Sequence, residues 1–202
     1  MDDLISVKTE NGLMLITFVR PKLRNPLSLD VLDALEHTFK RSERLSGIEK
    51  IVVTGSEGVF ASGADLREIG GLDANEVKQF ALKGQKLMAY ISEMQIPVMA
   101  AVNGFCYGGA LDLALACRRR AASTNASFCH PGAGLGIITG WGGTQRLPRL
   151  VGEANALEMF FTASPIPAHQ ALRIGLIDEI NDDPVGTLIN SLPRPPSPRP
   201  PA

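Results

Sequence analysis

The chain is 202 residues long and lacks several features that would assign it a class at once. No run of about eighteen or more apolar residues occurs, so a helical membrane span is not expected. No sign of charge dominates. The 20 Lys and Arg against 21 Asp and Glu leave a net charge of −1, with nothing to draw a nucleic acid or an anionic membrane surface. Cysteine is scarce: Cys106, Cys117 and Cys129 are an odd set without CxxC spacing, which predicts reduced thiols in the cytoplasm rather than a disulfide framework. The opening MDDLISVKTE is acidic and polar, unlike a signal or an Arg-rich transit peptide. Metal-ligand clusters are missing, as are GxGxxG and the phosphate-binding GxxxxGK pattern, so neither a metal nor a nucleotide cofactor is expected.

What is present is an alternation of strand and helix signals. Leu4–Lys8 and Leu13–Val19 read as strands around an Asn11-Gly12 turn, a strong hairpin signal. Ser28 is placed to cap a helix reaching about Leu45, with Leu32, Leu35 and Phe39 on one face. A strand at Ile51–Thr54, a long helix at 74–94 and a strand at Val98–Val102 follow. Then come a helix at 109–117, a strand at 119–123, and short helices at 153–162 and 168–174. The class is α/β, and periodicity alone does not choose between a doubly wound sheet and other α/β arrangements. From Pro193 the chain reads PRPPSPRPPA, a composition for polyproline II or disorder. The expected division is a core domain at 1–183 and a tail at 184–202.

The segment Asn103–Asp112, NGFCYGGALD, carries the most chemistry. Two adjacent glycines between a strand and a helix let the backbone approach a ligand and aim N–H groups into a pocket. Asp112 adds a carboxylate in the first turn of that helix. Phe60–Leu66, FASGADL, is a second small-residue turn after a strand. One N–H from each turn would form an oxyanion hole, whose individual donors are each worth roughly 2.7–4 kcal/mol of transition-state stabilisation.

With these segments the chain resembles the crotonase, or enoyl-CoA hydratase/isomerase, superfamily. The other landmarks are RPKLRNPLS (Arg20–Ser28), GIITGWGGTQRLPRLVG (Gly136–Gly152) and HQALRIGLIDEI (His169–Ile180), in family order over Ile5 to Ile180. The resemblance implies a superhelix of repeated ββα units, here with a reduced or missing C-terminal helical segment. It implies an acyl-CoA thioester enzyme that stabilises a thioester enolate, with no cofactor beyond the coenzyme A of the substrate. Homotrimers or hexamers are the implied assembly. Ala64 and Gly109 become the oxyanion donors and Asp112 the acid/base group. Lys22, Arg24, Ala61, Gly63, Asp65, Leu66, Gly108, Gly132 and Trp141 become substrate-binding positions, the first two toward CoA phosphates.

Two departures from the family pattern bear on mechanism. Hydratases of the family hold a water between two glutamates. The first position is Asp112, shorter by one methylene, about 1.5 Å of reach. The second is Gly132, which has no side chain. Each such acid–base group contributes about 10²–10⁴-fold, so a lone carboxylate makes a poor hydratase unless another group substitutes. His130 and Glu68 are the candidates; their competing roles are a hydrogen-bonded histidine at a strand end and a solvated helix carboxylate. Cys106 and Tyr107 are expected to pack beside the glycines, Trp141 against the Gly142-Gly143 turn, and His37 and His169 to lie on the surface. The alternative functions are a catalytically weak acyl-CoA-binding or interaction protein, or a decarboxylase or hydrolase of the same fold.

Overall fold

A computed structural model describes residues 3–190, and the Pro-rich run from Pro193 lies outside the described residues. The chain opens with the hairpin β1 (Ile5–Glu10) and β2 (Leu13–Phe18), turning at Asn11-Gly12 where both residues have positive φ. A 3₁₀ turn at Pro21–Leu23 leads to β3 (Pro26–Leu27) and α1 (Leu29–Ser42). Ser28 caps α1, its Oγ accepting from the Val31 N–H at 3.3 Å. Next come β4 (Lys50–Thr54), β5 (Val59–Ala61), β6 (Gly63–Ala64), α2 (Leu66–Ile69) and α3 (Ala74–Glu93). Strands β7 (Val98–Val102) and β8 (Phe105–Tyr107) precede α4 (Gly109–Ala116). Strands β9 (Arg119–Ala122) and β10 (Ser127–Cys129) precede α5 (Gly132–Leu135), α6 (Gly143–Val151) and α7 (Glu153–Thr162). The described chain closes with β11 (Ile166–Pro167), α8 (Ala168–Arg173), β12 (Glu179–Ile180) and α9 (Pro184–Asn190).

The sheets turn this order into a repeat. The larger sheet runs β1-β2-β4-β7-β9-β12, parallel throughout except for the opening hairpin. The second runs β11-β10-β8-β5, and β3 pairs with β6. Three times the chain places one strand in the larger sheet, turns a corner, places a short strand in the second sheet, and returns through helix: β4-β5-α3, β7-β8-α4, β9-β10-α5. This is a superhelix of ββα turns. The central strands of the larger sheet, β4 from Ile51 onward and β7, are buried and almost wholly apolar, as suits strands covered on both faces. One face meets α1, α3 and α4 through Ile51, Val53, Phe39, Leu87 and Leu113, all buried. On the other, Val52, Met99, Ala101 and Ala121 pack with Leu188 of α9.

The structure corrects two boundaries. Pro184–Asn190 is a helix whose Leu188 is fully buried and whose Ile189 carbonyl accepts from Lys50 Nζ at 2.6 Å. The core therefore extends past 183. Phe105–Tyr107, inside the glycine-rich segment, is a strand rather than a loop: its backbone is held between β5 and β10.

Candidate active site

The second sheet and α4 open onto one cavity of about 620 Å³, walled by the β6–α2 turn, the start of α4, and the stretch from His130 to Trp141. Ala64 and Gly109 line it together with Gly108 and Asp112. Gly109 is the first residue of α4, so its N–H has no acceptor within the helix. The two turns touch closely. Gly63, at φ +93°, has the Tyr107 carbonyl 2.6 Å and the Gly109 nitrogen 2.9 Å from where a Cβ would stand, so no other residue fits. Asn25 secures the first turn from behind: its side-chain nitrogen donates to the Val59 and Phe60 carbonyls at 2.9 and 3.0 Å, and its oxygen accepts from the Arg20 N–H at 2.7 Å.

Asp112 sits one turn into α4 and is fully buried. Its Oδ2 accepts from the Thr139 hydroxyl and from the Trp141 N–H at 3.1 Å. Burial pushes its pKa up to about 6, against the opposing pull of those two donors and of the Arg146 charge. His130 lies beside it at 2 % exposure, with Nε2 3.8 Å from Asp112 Oδ1. Burial lowers the His130 pKa to about 4, so the ring is neutral at pH 7.

Trp141 sets the floor. It is 3 % exposed and is wedged between Gly84 and Gly109. A Cβ at Gly84 of α3 would stand 2.2 Å from the indole, and one at Gly109 would stand 2.4 Å from it. Gly84, a mild weakness of α3 by propensity, is thus the seat of the indole. Phe80 packs on the other side at 5.4 Å between ring centroids.

Not every expected residue reaches the cavity. Of the substrate-binding set, Asp65, Leu66, Gly108, Gly132 and Trp141 line it; Ala61 and Gly63 do not. Ala61 is fully buried in core packing, and Gly63 acts through the backbone contact just described. Lys22 and Arg24 are exposed and outside the lining, although Leu23 between them is part of it. Arg24 lies over the Phe105 ring at 5.8 Å. Asp65 also caps α2, and its two-point pairing with Arg67 holds its carboxyl below the usual range. Glu68 accepts from the Leu29 N–H at 2.9 Å and is not in the lining, so it supports the start of α1 instead of replacing a glutamate. The residues missed from sequence are Asn25 and Thr139. Asn25 stands in an Asn-Pro dipeptide, a turn signal; nothing local marks Thr139 as the partner of Asp112. Among the described residues no group of side chains could hold a metal ion, and no helix is long and apolar enough to cross a membrane.

The sequence profile of the enoyl-CoA hydratase/isomerase family matches residues 8–188. The crotonyl-CoA hydratase of Syntrophomonas wolfei is 41% identical over 177 residues, which are 87% of this chain and 68% of that protein. The short-chain-enoyl-CoA hydratase of Clostridium acetobutylicum is 39% identical over the same shares of each. Among solved structures, an enoyl-CoA hydratase from Bacillus anthracis superposes with a TM-score of 0.88 at 32% identity, covering 92% of this chain and 73% of that one.

Proposed function

The chain belongs to the enoyl-CoA hydratase/isomerase family and is an acyl-CoA thioester enzyme, and from that premise we propose how its cavity works and on what. The substrate is a short-chain enoyl-CoA, as the names of the similar hydratases suggest. The thioester carbonyl lies between the Ala64 and Gly109 N–H groups, at the positive end of α4. Negative charge that develops on that oxygen is an enolate, and Asp112 exchanges the proton at the α carbon. Lys22 and Arg24 flank the mouth, where CoA phosphates would pass. Coenzyme A arrives with the substrate and no other cofactor takes part.

The observation that carries this reading is convergence. A helix-start N–H, a second small-residue turn and a buried carboxylate with pKa about 6 line one cavity. A carboxylate tuned that close to neutrality suits proton transfer. The three free cysteines support a reducing compartment, the cytoplasm. Leu157 and Phe161, 51% and 77% exposed one turn apart on α7, support self-association as a trimer or hexamer.

The test is turnover of crotonyl-CoA by the wild type and by Asp112→Asn. Asparagine keeps the shape but cannot take a proton. Turnover should fall about 10²–10⁴-fold while acyl-CoA still binds. Unchanged turnover removes Asp112 from the chemistry. Binding without turnover by the wild type supports the second reading, an acyl-CoA-binding protein, which the bare Gly132 position favours.

A further inference from the structure

Asp112 borders the cavity and yet is fully buried, so an acyl group does not meet it directly. The surroundings of its two oxygens show why. Oδ1 is buried against the Gly143 backbone, where a Cβ on that glycine would stand 2.1 Å away. Oδ2 accepts two hydrogen bonds, from the Trp141 N–H at 3.1 Å and from the Thr139 hydroxyl. A proton bound for the carboxylate has to pass through one of these neighbours.

Only one of them can pass it on. Trp141 and Gly143 present backbone to the carboxylate, and a backbone N–H is a donor alone. A hydroxyl donates one hydrogen and also carries two lone pairs. Thr139 is half-buried and lines the cavity, so a single side chain borders the cavity and bonds Oδ2. Among the described residues its hydroxyl makes no second hydrogen bond, which leaves those lone pairs unclaimed. The backbone around it is held in place. The Ile137 N–H donates to the Gly132 carbonyl at 3.0 Å, and Gln85 of α3 donates to the Gly140 carbonyl at 2.8 Å.

We infer that Thr139 is a catalytic residue of this site, whose hydroxyl carries the proton between the α carbon of the substrate and Asp112. The inference rests on the enolate reading above and deepens it. As the C–H bond at the α carbon breaks, its proton bonds to Thr139 Oγ1. The hydrogen already on Oγ1 moves to Asp112 Oδ2. The electron pair of the C–H bond moves onto the thioester oxygen, which Ala64 and Gly109 hold. The two proton transfers occur together, so Thr139 never carries a net charge. The same transfers in reverse return a proton to carbon and restore both side chains. Asp112 thus stores the proton, while Thr139 meets the substrate.

The experiment follows release of tritium from α-tritiated butyryl-CoA by the full chain, in H₂O and in D₂O. The Thr139 hydroxyl exchanges its hydrogen with solvent, so a relay has deuterium in flight in D₂O and release slows. Direct transfer to a carboxylate moves no hydrogen that came from solvent, and the two rates match. Thr139→Val keeps the shape without the hydroxyl. It should lose about 100-fold or more in the rate of release, as a loss in kcat with KM nearly held. Thr139→Ser should keep most of the rate and also the slowing in D₂O. Thermal melting of both variants checks folding. Equal wild-type rates in the two solvents overturn the inference and leave the enolate reading standing. A folded Thr139→Val variant that releases tritium as fast as the wild type, or faster, does the same. A wild type that binds butyryl-CoA but releases no tritium sinks both.

Discussion

The wall carrying Ala64 and Gly109 and the wall running from Gly132 to Trp141 face the same cavity, but different forces hold them. The first is backbone against backbone. Gly63 admits no Cβ, Asn25 ties β5 to the preceding loop, and α4 behind it is buried along almost its whole length. The second is a four-residue helix and a loop whose Leu135, Ile137 and Ile138 are 51%, 50% and 67% exposed. The contrast separates two jobs. Holding a developing oxyanion needs donors fixed in place before reaction, and close packing fixes them. Shaping the acyl pocket falls to the wall with more freedom to differ, and there Gly132 departs from the usual pair of carboxylates.

The sharpest way to break this contrast is at Gly109. Gly109→Pro removes the N–H proposed as an oxyanion donor, a contribution of roughly 2.7–4 kcal/mol in such sites. Its ring also enters the space of Trp141, whose Cζ3 is 2.4 Å from the Cβ position. Loss of kcat/KM by at least about two orders of magnitude on crotonyl-CoA is expected. Near-normal turnover would mean that the first wall does not hold the oxyanion.

Next comes Gly132→Glu. From sequence alone this change restores a carboxylate and should raise hydration. The structure reverses the expectation, because the new Cβ meets the Ile137 carbonyl at 2.5 Å. A cost of about 1–3 kcal/mol in thermal or urea unfolding, with no gain in turnover, is expected. A gain without loss of stability would show that the 136–139 loop gives way freely.

The buried pair offers a finer test through pH. His130 has a folded pKa of about 4, below its usual 6.5, so the stability it contributes is present above 6.5 and lost as pH falls toward 4. Asp112, raised to about 6 from 3.8, has the opposite sign: its contribution is present below 3.8 and lost as pH rises through 6. Urea unfolding at pH 7 and pH 5 should therefore show His130→Gln losing less stability on acidification than the wild type, and Asp112→Asn losing more. Identical slopes in all three would remove the pair as a titrating unit. The smallest effect belongs to Ile138→Ser at the exposed rim: stability within about 0.5 kcal/mol of wild type, with a higher KM for crotonyl-CoA.

What could be read from sequence divides along the same line. The opening hairpin is visible in Asn11-Gly12, and α1 in Ser28 and its apolar face, because both signals are local. Strands β5, β8 and β10 have three residues each, too few to show a period, and they exist only through pairing with one another across the chain. The two small-residue turns are legible because backbones that approach as closely as Gly63 approaches Tyr107 and Gly109 leave no room for a side chain. The Thr139–Asp112 hydrogen bond, the Trp141 seat on Gly84 and the capping role of Glu68 join distant segments, and no local pattern announces them.

The position of Trp141 has a practical consequence. It is the only tryptophan in the chain, and it forms the floor of the cavity. All indole emission from the unlabelled protein therefore originates where a thioester would rest. Entry of an acyl group replaces water over that ring and should change the intensity and wavelength of emission. Occupancy can then be followed optically even with esters that never react, which makes affinity measurable apart from turnover.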